Sequence, residues 1–260
     1  MTTRVLSGVM LLPLLLTIII GNLPLYLLGL VLTIVAINEF TKALKVKDID
    51  IFPVLGYVMS VCFFIKNIYS LTANSLAVLT ILLVMVAFVY TFLSKKNIKY
   101  FLLNLISIFY ILFGFDAIIS IVDTFNNGHI YVWLIFIASS LSDTMAYFVG
   151  SYFGKHKLAP KLSPKKTIEG SVGAIFFSTI GCVIFGMVFS LNIWLVLFIG
   201  FTGSIVSQIG DLLASFVKRY VGIKDYGNII PGHGGILDRC DSIILVSQYI
   251  YIILALTSVF

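Results

Sequence analysis

The apolar runs of this chain constrain its fold more than any other feature, because each approaches the length that crosses a lipid bilayer. A transmembrane helix needs about 20 predominantly apolar residues. Hydrophobic residues make up 60% of the 260 residues and charged residues only 11%, against about a quarter in soluble domains. Nine runs are separated by polar breaks: residues 5–20, 24–42, 51–66, 75–94, 101–122, 130–151, 171–190, 192–213 and 242–260.

We therefore predict an all-α, polytopic integral membrane protein with about nine transmembrane helices. The composition excludes disordered chains and nucleic-acid-binding proteins, which carry many more charges. Cytoplasmic loops are enriched in Lys and Arg, and all of the 17 cations except Lys66 fall before the first run or after an even-numbered one. This asymmetry predicts a cytoplasmic N-terminus and an external C-terminus in the cell (inner) membrane.

The two halves of the chain differ in their loops. Residues 1–130 hold the first five runs and short linkers, whereas the long polar segments 152–170 and 214–241 come late. We predict that residues 1–130 form a scaffold or dimerisation region. Residues 131–260 then form a catalytic transmembrane region, with cytoplasmic loops at 152–170 and 214–241.

Ionisable side chains inside apolar runs mark candidate functional sites, because a charge in lipid costs several kcal/mol unless it has a partner. Asp143 lies in the sixth run and Asp211 at the end of the eighth. The alternative is that each acid only locks helices together. Three- and four-residue spacing predicts one polar face on a helix that continues to Gly222, formed by Ser204, Ser207, Asp211, Ser215 and Lys218.

The segment after the sixth run has the pattern of a phosphate-binding helix start. Ser163 is placed to cap a helix and Pro164 to occupy its first position. Lys165 and Lys166 add positive charge to that helix end, which favours anions. The alternative is that the lysines only follow the charge asymmetry of cytoplasmic loops.

The last loop combines glycines with a histidine. Gly234 and Gly235 beside His233 allow backbone N–H groups to approach a phosphate, or form a flexible turn. Asp238 and Asp241 follow, three residues apart, where they either face one cation or cap the helix. Carboxylates without a Cys and His cluster favour Mg²⁺ over Zn²⁺.

This region resembles the phosphatidate cytidylyltransferase (CDP-diacylglycerol synthase) family. The family signature is a Ser, a Lys-Arg pair, a Lys-Asp pair, His-Gly-Gly and Asp-Arg-x-Asp. The matching residues are Ser215, Lys218, Arg219, Lys224, Asp225, His233, Gly234, Gly235, Asp238, Arg239 and Asp241. Cys240 is a mild departure that packs as a small apolar group. The segment from Asp143 to Lys155 and the Ser-Pro-Lys-Lys-Thr-x-Glu-Gly stretch extend the likeness to about residues 131–245.

The resemblance implies an enzyme that transfers CMP from CTP to phosphatidic acid and so forms CDP-diacylglycerol and pyrophosphate. It also implies Mg²⁺ as cofactor, contact with membrane lipid and a homodimer. We expect in-line attack of the lipid phosphate on the α-phosphorus of CTP, with charge neutralisation as the main task. The active site is expected to face the cytoplasm, where CTP arrives.

The expected roles follow from charge. Asp211, Asp238 and Asp241 are assigned to one or two Mg²⁺ ions. The catalytic set adds three cations for phosphates: Lys218, Arg219 and Arg239. The substrate-binding candidates, with His233 as a ligand contact rather than a general base, are Asp143, Lys165, Lys166, Ser207, Ser215, Lys224, His233, Gly234 and Gly235.

Two other functions fit parts of the pattern. A CTP-dependent polyprenol or phytol kinase would transfer the γ-phosphoryl group and release CDP instead of pyrophosphate. A membrane transporter would line a pathway with Asp116, Asp143 and the polar face of the eighth run. The clustering of charges at one membrane edge disfavours the transporter.

Overall fold

The computed structural model describes residues 16–49, 52–69, 73–94, 98–229 and 234–258. Helices dominate these residues. In chain order they are α1 (Asn22–Lys45), α2 (Pro53–Tyr69), α3 (Ala73–Leu93), α4 (Ile98–Thr124), α5 (Gly128–Phe136), α6 (Ser142–Phe153), α7 (Ile168–Val188), α8 (Ile193–Val221) and α9 (Leu237–Ser258). A π-helical turn, Ile137–Leu141, joins α5 to α6.

Six helices in the described ranges are long and apolar enough to cross a membrane: Asn22–Lys45, Tyr100–Thr124, Gly128–Phe153, Ile168–Val188, Ile193–Val221 and Leu237–Thr257. Two shorter apolar helices are Pro53–Tyr69 and Thr80–Leu93. The prediction of an all-α, polytopic membrane protein is confirmed in part, because the described residues are nearly all helical but include one short β-hairpin. Most of the first predicted span, 5–20, lies outside the described residues, so the count of nine spans and the orientation of the termini stay predictions.

A small antiparallel sheet follows α6, where the sequence predicted a helix start. β1 (Lys157–Ala159) pairs with β2 (Ser163–Thr167), so the assignment of Ser163 as a helix cap and Pro164 as a first helical residue is wrong. Proline disfavours helical backbone in the residue before it. It is tolerated in edge strands, and both strands of this hairpin are edges.

The helix begins instead at Ile168. Thr167 caps it, since its Oγ1 accepts the N–H of Gly170 at 3.1 Å. The hairpin is closed at its base by the residue before β1, because the N–H of Ile168 donates to the carbonyl of His156 at 2.9 Å. The Nδ1 atom of His156 lies 2.6 Å from Oε1 of Glu169. Entry and exit of the hairpin are therefore fixed at one point.

The chain divides into two compact units. The first unit comprises Met1–Ile119 and Val221–Arg239, and the second comprises Ser120–Tyr220 and Cys240–Phe260. In the first unit α1 packs against α2 and α2 against α3, and in the second α6 packs along α7. The division at residue 130 into scaffold and catalytic regions was a functional prediction and stays one.

Small residues allow the close packing of α6 on α7 in the second unit. A Cβ atom on Gly170 would lie 2.6 Å from the carbonyl oxygen of Ala146 and 3.1 Å from Cα of Gly150. Only glycine fits such an approach without a backbone shift. This packing fixes the start of α7, and with it β2, against the helix that carries Asp143.

Candidate active site

Asp211 of α8 anchors a polar cluster in the second unit. Its carboxylate forms an ion pair with Nζ of Lys166, which β2 supplies. One helical turn further along α8, Oγ of Ser215 donates to Oδ1 of Asp211 at 3.4 Å. The predicted polar face of α8 therefore does bring Asp211 and Ser215 together.

A second acidic residue of this unit, Asp241 of α9, lies close by. Its side chain is buried, and Nζ of Lys218 lies 3.9 Å from Oδ2. The carboxylates of Asp143 and Asp211 lie within electrostatic range of Asp241. The second unit thus gathers three carboxylates with Lys166 and Lys218, which is an arrangement suited to a cation and to phosphates.

Gly210 permits the approach of α8 to α9 that places Asp211 near Asp241. A Cβ atom at this position would lie 2.9 Å from the carbonyl oxygen of Asp241 and 3.1 Å from Cα of Ser242. Both of these atoms belong to backbone, so any side chain would push the helices apart. Gly210 was not predicted from the sequence, although a glycine directly beside an acid in an apolar run was a usable signal.

The rest of the α8 face is buried and polar. The Oγ atoms of Ser142 and Ser204 lie 2.8 Å apart, and Oγ of Ser171 donates to Oε1 of Gln208 at 2.5 Å. Oγ of Ser207 is buried and has no hydrogen-bond partner within the part of the chain that the structure describes. The prediction that α8 continues as a helix up to Gly222 is confirmed.

The two lysines of β2 have different surroundings. Successive residues of a strand point to opposite faces. Lys166 accordingly reaches Asp211, whereas Lys165 is exposed. Near the end of α8, Nε of Arg219 donates to the carbonyl of Leu162 at 3.4 Å, which places the guanidinium at the same hairpin.

In the first unit, Asp238 is buried at the start of α9. Its Oδ2 atom accepts the N–H groups of Tyr226 at 2.7 Å and Gly235 at 3.0 Å. Gly234 has a φ of 86°, which favours glycine, and a Cβ there would lie 2.9 Å from the same oxygen. The N–H of Gly235 is therefore occupied by a carboxylate, and phosphate binding by Gly234 and Gly235 stays a prediction.

Glu39 of α1 contacts the residues that lead into α9. It was not predicted from the sequence. Its side chain is 3% exposed, and its carboxylate accepts the N–H groups of Ile236 at 3.0 Å and Leu237 at 2.8 Å. It lies in the apolar run 24–42. The rule that marked Asp143 and Asp211 as acids inside apolar runs therefore applied to Glu39 equally.

The remaining candidates lie at the surface of the first unit or outside the described ranges. Lys224 and Arg239 are exposed. His233 lies outside the described residues. Their predicted contacts with substrate stay predictions.

The carboxylates of the second unit supply the oxygen donors that Mg²⁺ prefers. Among the described residues, no group of three or more His, Cys, Asp or Glu side chains is placed to hold a metal ion. Nucleotide-dependent enzymes, however, often bind Mg²⁺ through one or two carboxylates and the phosphates of the substrate. Asp211 and Asp241 fit an ion that arrives with a nucleotide, rather than a preformed cage.

Comparison with known proteins decides the family. The sequence model of the cytidylyltransferase family matches residues 2–257. The chain belongs to the cytidylyltransferase family. Membership makes it a nucleotidyltransferase, and the motif from Ser215 to Asp241 lies inside the matched region.

Its relatives within this cytidylyltransferase family match along nearly their whole length. The phosphatidate cytidylyltransferase of Bacillus subtilis (strain 168) is 35% identical and aligns over 99% of each chain. Those of Staphylococcus haemolyticus (strain JCSC1435) and Staphylococcus aureus (strain COL) are 36% and 34% identical, over 97% of this chain and 96% of the relative.

Proposed function

We propose that this cytidylyltransferase transfers CMP from CTP to phosphatidic acid, forming CDP-diacylglycerol and pyrophosphate. The observation that carries the proposal is the 35% identity, over 99% of both chains, to a phosphatidate cytidylyltransferase. The geometry of the second unit supports it, because clustered carboxylates and lysines are what a reaction between two phosphate-bearing substrates requires.

The reaction joins two anions. An oxygen of the lipid phosphate attacks the α-phosphorus of CTP in line, and the bond to the β-phosphate oxygen breaks as pyrophosphate leaves. The lipid phosphate is ionised at neutral pH, so no Ser or Cys nucleophile and no general base are required. Neutralising and positioning the phosphates account for the catalysis.

The cations of the second unit supply this neutralisation. Lys166 and Lys218 pair with aspartates, and we propose that they turn to phosphate oxygens when substrates bind. Arg219 lies at the same hairpin as Lys166 and serves the same purpose. Its rigid fork of donors suits bidentate phosphate contact.

Asp211 and Asp241 would hold Mg²⁺, and a bound Mg²⁺ neutralises charge on phosphoryl oxygens. Asp143 lies within electrostatic range of Asp241 and adds negative charge to this cluster. The assignment of Asp238 as a further metal ligand continues to rest on the sequence motif. The homodimer is also proposed, and it rests on the family resemblance alone.

We further propose that the active site faces the cytoplasm. The segments 152–170 and 214–241 are rich in Lys and Arg. Cytoplasmic loops are typically enriched in these residues, which supports this orientation. Phosphatidate presents its head group at the membrane interface, and CTP is a soluble cytosolic nucleotide. The substrates would therefore meet at the inner surface of the cell membrane.

The test uses the full chain in lipid nanodiscs containing phosphatidate, with CTP and Mg²⁺. Mass spectrometry of the lipids and chromatography of the nucleotides identify the products. CDP-diacylglycerol together with pyrophosphate supports the proposal. Release of CDP with a phosphorylated lipid would contradict the proposal and indicate a CTP-dependent lipid kinase instead. An active wild-type preparation of a bacterial relative serves as the positive control for the assay.

A further inference from the structure

We propose that Glu39 is a positioning residue that holds the last loop and the start of α9 in the conformation that receives the nucleotide. This inference deepens the proposed function and rests on it. It concerns residues of the first unit only, and it gives the N-terminal helices a part in positioning the last loop.

The first argument is the hydrogen bonding of Glu39. Its two carboxylate oxygens accept the N–H groups of Ile236 and Leu237, at 3.0 Å and 2.8 Å. The first N–H groups of a helix have no partner within the helix. A carboxylate at this position satisfies them and interacts favourably with the helix dipole. Glu39 therefore caps α9 from a different helix.

The second argument is the close fit of the loop around this carboxylate. A Cβ atom on Gly227 would lie 2.6 Å from Oε1 of Glu39, and one on Gly235 would lie 2.5 Å from both carboxylate oxygens. Gly227 and Gly235 therefore both lie directly against Glu39. Next to Glu39, the ring of Phe40 stacks on Tyr226 with centroids 5.9 Å apart.

The third argument links Glu39 to Asp238. Oδ2 of Asp238 accepts the N–H groups of Tyr226 and Gly235, which adjoin the residues that touch Glu39. The conformation that Glu39 imposes on the loop therefore also sets the position of the Asp238 carboxylate. Asp238 begins the Asp-Arg-x-Asp motif, so Glu39 acts on the reaction through it.

Burial argues against a purely structural role. Glu39 is only 3% exposed, although it lies towards the end of α1 that also carries Lys42 and Lys45. Replacing buried ionic groups by apolar residues of similar volume is often neutral or stabilising. A helix that only had to pack here would be served by a leucine, whereas a carboxylate is required to hold a loop through its N–H groups.

The experiment compares Glu39→Gln and Glu39→Ala with Asp116→Asn in the full-length protein. Asp116 is a matched control, because it is a partly buried acid of the same unit that pairs with Lys66. For both Glu39 variants we expect kcat/KM for CTP to fall about tenfold or more, since hydrogen bonds to a charged group are lost. The KM for phosphatidate should stay within about twofold, and Asp116→Asn should change neither value.

Two further measurements separate positioning from stability. Hydrogen–deuterium exchange should quicken about tenfold in residues 234–237 of the Glu39 variants, while α2 keeps the wild-type rate. Formate, compared with chloride at equal ionic strength, should restore part of the activity of Glu39→Ala, because it supplies the missing carboxylate. It should not restore Asp116→Asn.

The experiment tests the role of Glu39 separately from the proposed function. Wild-type exchange rates and CTP kinetics in both Glu39 variants would overturn it. So would equal losses for CTP and phosphatidate without formate rescue, or failure of both variants to fold when Asp116→Asn folds. If the wild-type protein forms no CDP-diacylglycerol, the proposed function fails, and the exchange measurement still shows whether Glu39 holds the loop.

Discussion

Lys166 of the β-hairpin forms an ion pair with Asp211 of α8, so the polar segment after α6 reaches the acid that α8 carries. Neither side chain is fully exposed. The pair joins a cation suited to phosphates with a carboxylate suited to a metal ion, so we predict that the reaction depends on Lys166 more than on Lys165.

Substitution of Lys166 should therefore impair catalysis more than substitution of its neighbour. Lys166→Ala is expected to lower kcat/KM by about 100-fold, as for the loss of a donor that stabilises developing charge. Lys165→Ala removes an equal charge from the exposed face of the strand, so its loss should be several-fold smaller. Steady-state CMP transfer in nanodiscs measures both, and equal losses would contradict the assignment.

The aspartates of the second unit should determine the metal dependence. Chelation of Mg²⁺ by EDTA is expected to abolish CMP transfer, and Asp211→Asn and Asp241→Asn should each lower it by about 100-fold or more. Asp211→Glu should raise the Mg²⁺ concentration needed for half-maximal rate. The exposed Asp48 supplies the control variant Asp48→Asn. An unchanged Mg²⁺ dependence in all three variants would exclude these residues as ligands.

Gly210 should tolerate no side chain. Gly210→Ala places a Cβ atom 2.9 Å from the carbonyl oxygen of Asp241, and such overpacking costs about 1–3 kcal/mol. We expect a lower thermal unfolding temperature in detergent and weaker activity, since Asp211 moves with its neighbour. Gly203→Ala on the same helix is the control, because the nearest atom there is a side-chain carbon at 3.3 Å. Its unfolding temperature should change less.

The ion pair between Lys66 and Asp116 should stabilise the first unit without serving the reaction. Nζ of Lys66 lies 3.1 Å from Oδ2 of Asp116, and Nδ2 of Asn67 donates to Oδ1 at 3.2 Å. Breaking this partly buried pair leaves an uncompensated charge away from water. Lys66→Met should therefore lower stability by about 1–3 kcal/mol, and adding Asp116→Leu should restore much of it. Loss of CMP transfer at unchanged stability would contradict this role.

Some of this structure follows directly from the sequence. The apolar runs predict the helices because the lipid environment leaves few alternatives to a helical span. The spacing from Ser204 to Lys218 predicts one face of α8, since that relation is local to a single helix.

Other features depend on contacts between residues that are far apart in the sequence. Glu39 is visible as an acid in an apolar run, but its partners are backbone N–H groups 197 and 198 residues away. The choice between Lys165 and Lys166 depends on strand alternation. The sequence suggested a helix there, because Ser-Pro also occurs at helix starts.

The closed base of the hairpin has a consequence for substrate affinity. His156 holds both Ile168 and Glu169, so the arm that carries Lys166 is already immobilised before any ligand arrives. A phosphate that binds Lys166 therefore does not have to order a mobile loop. Less of its interaction energy is lost to ordering the protein. Such preorganisation favours tight binding of one phosphate geometry over adaptation to differently shaped head groups.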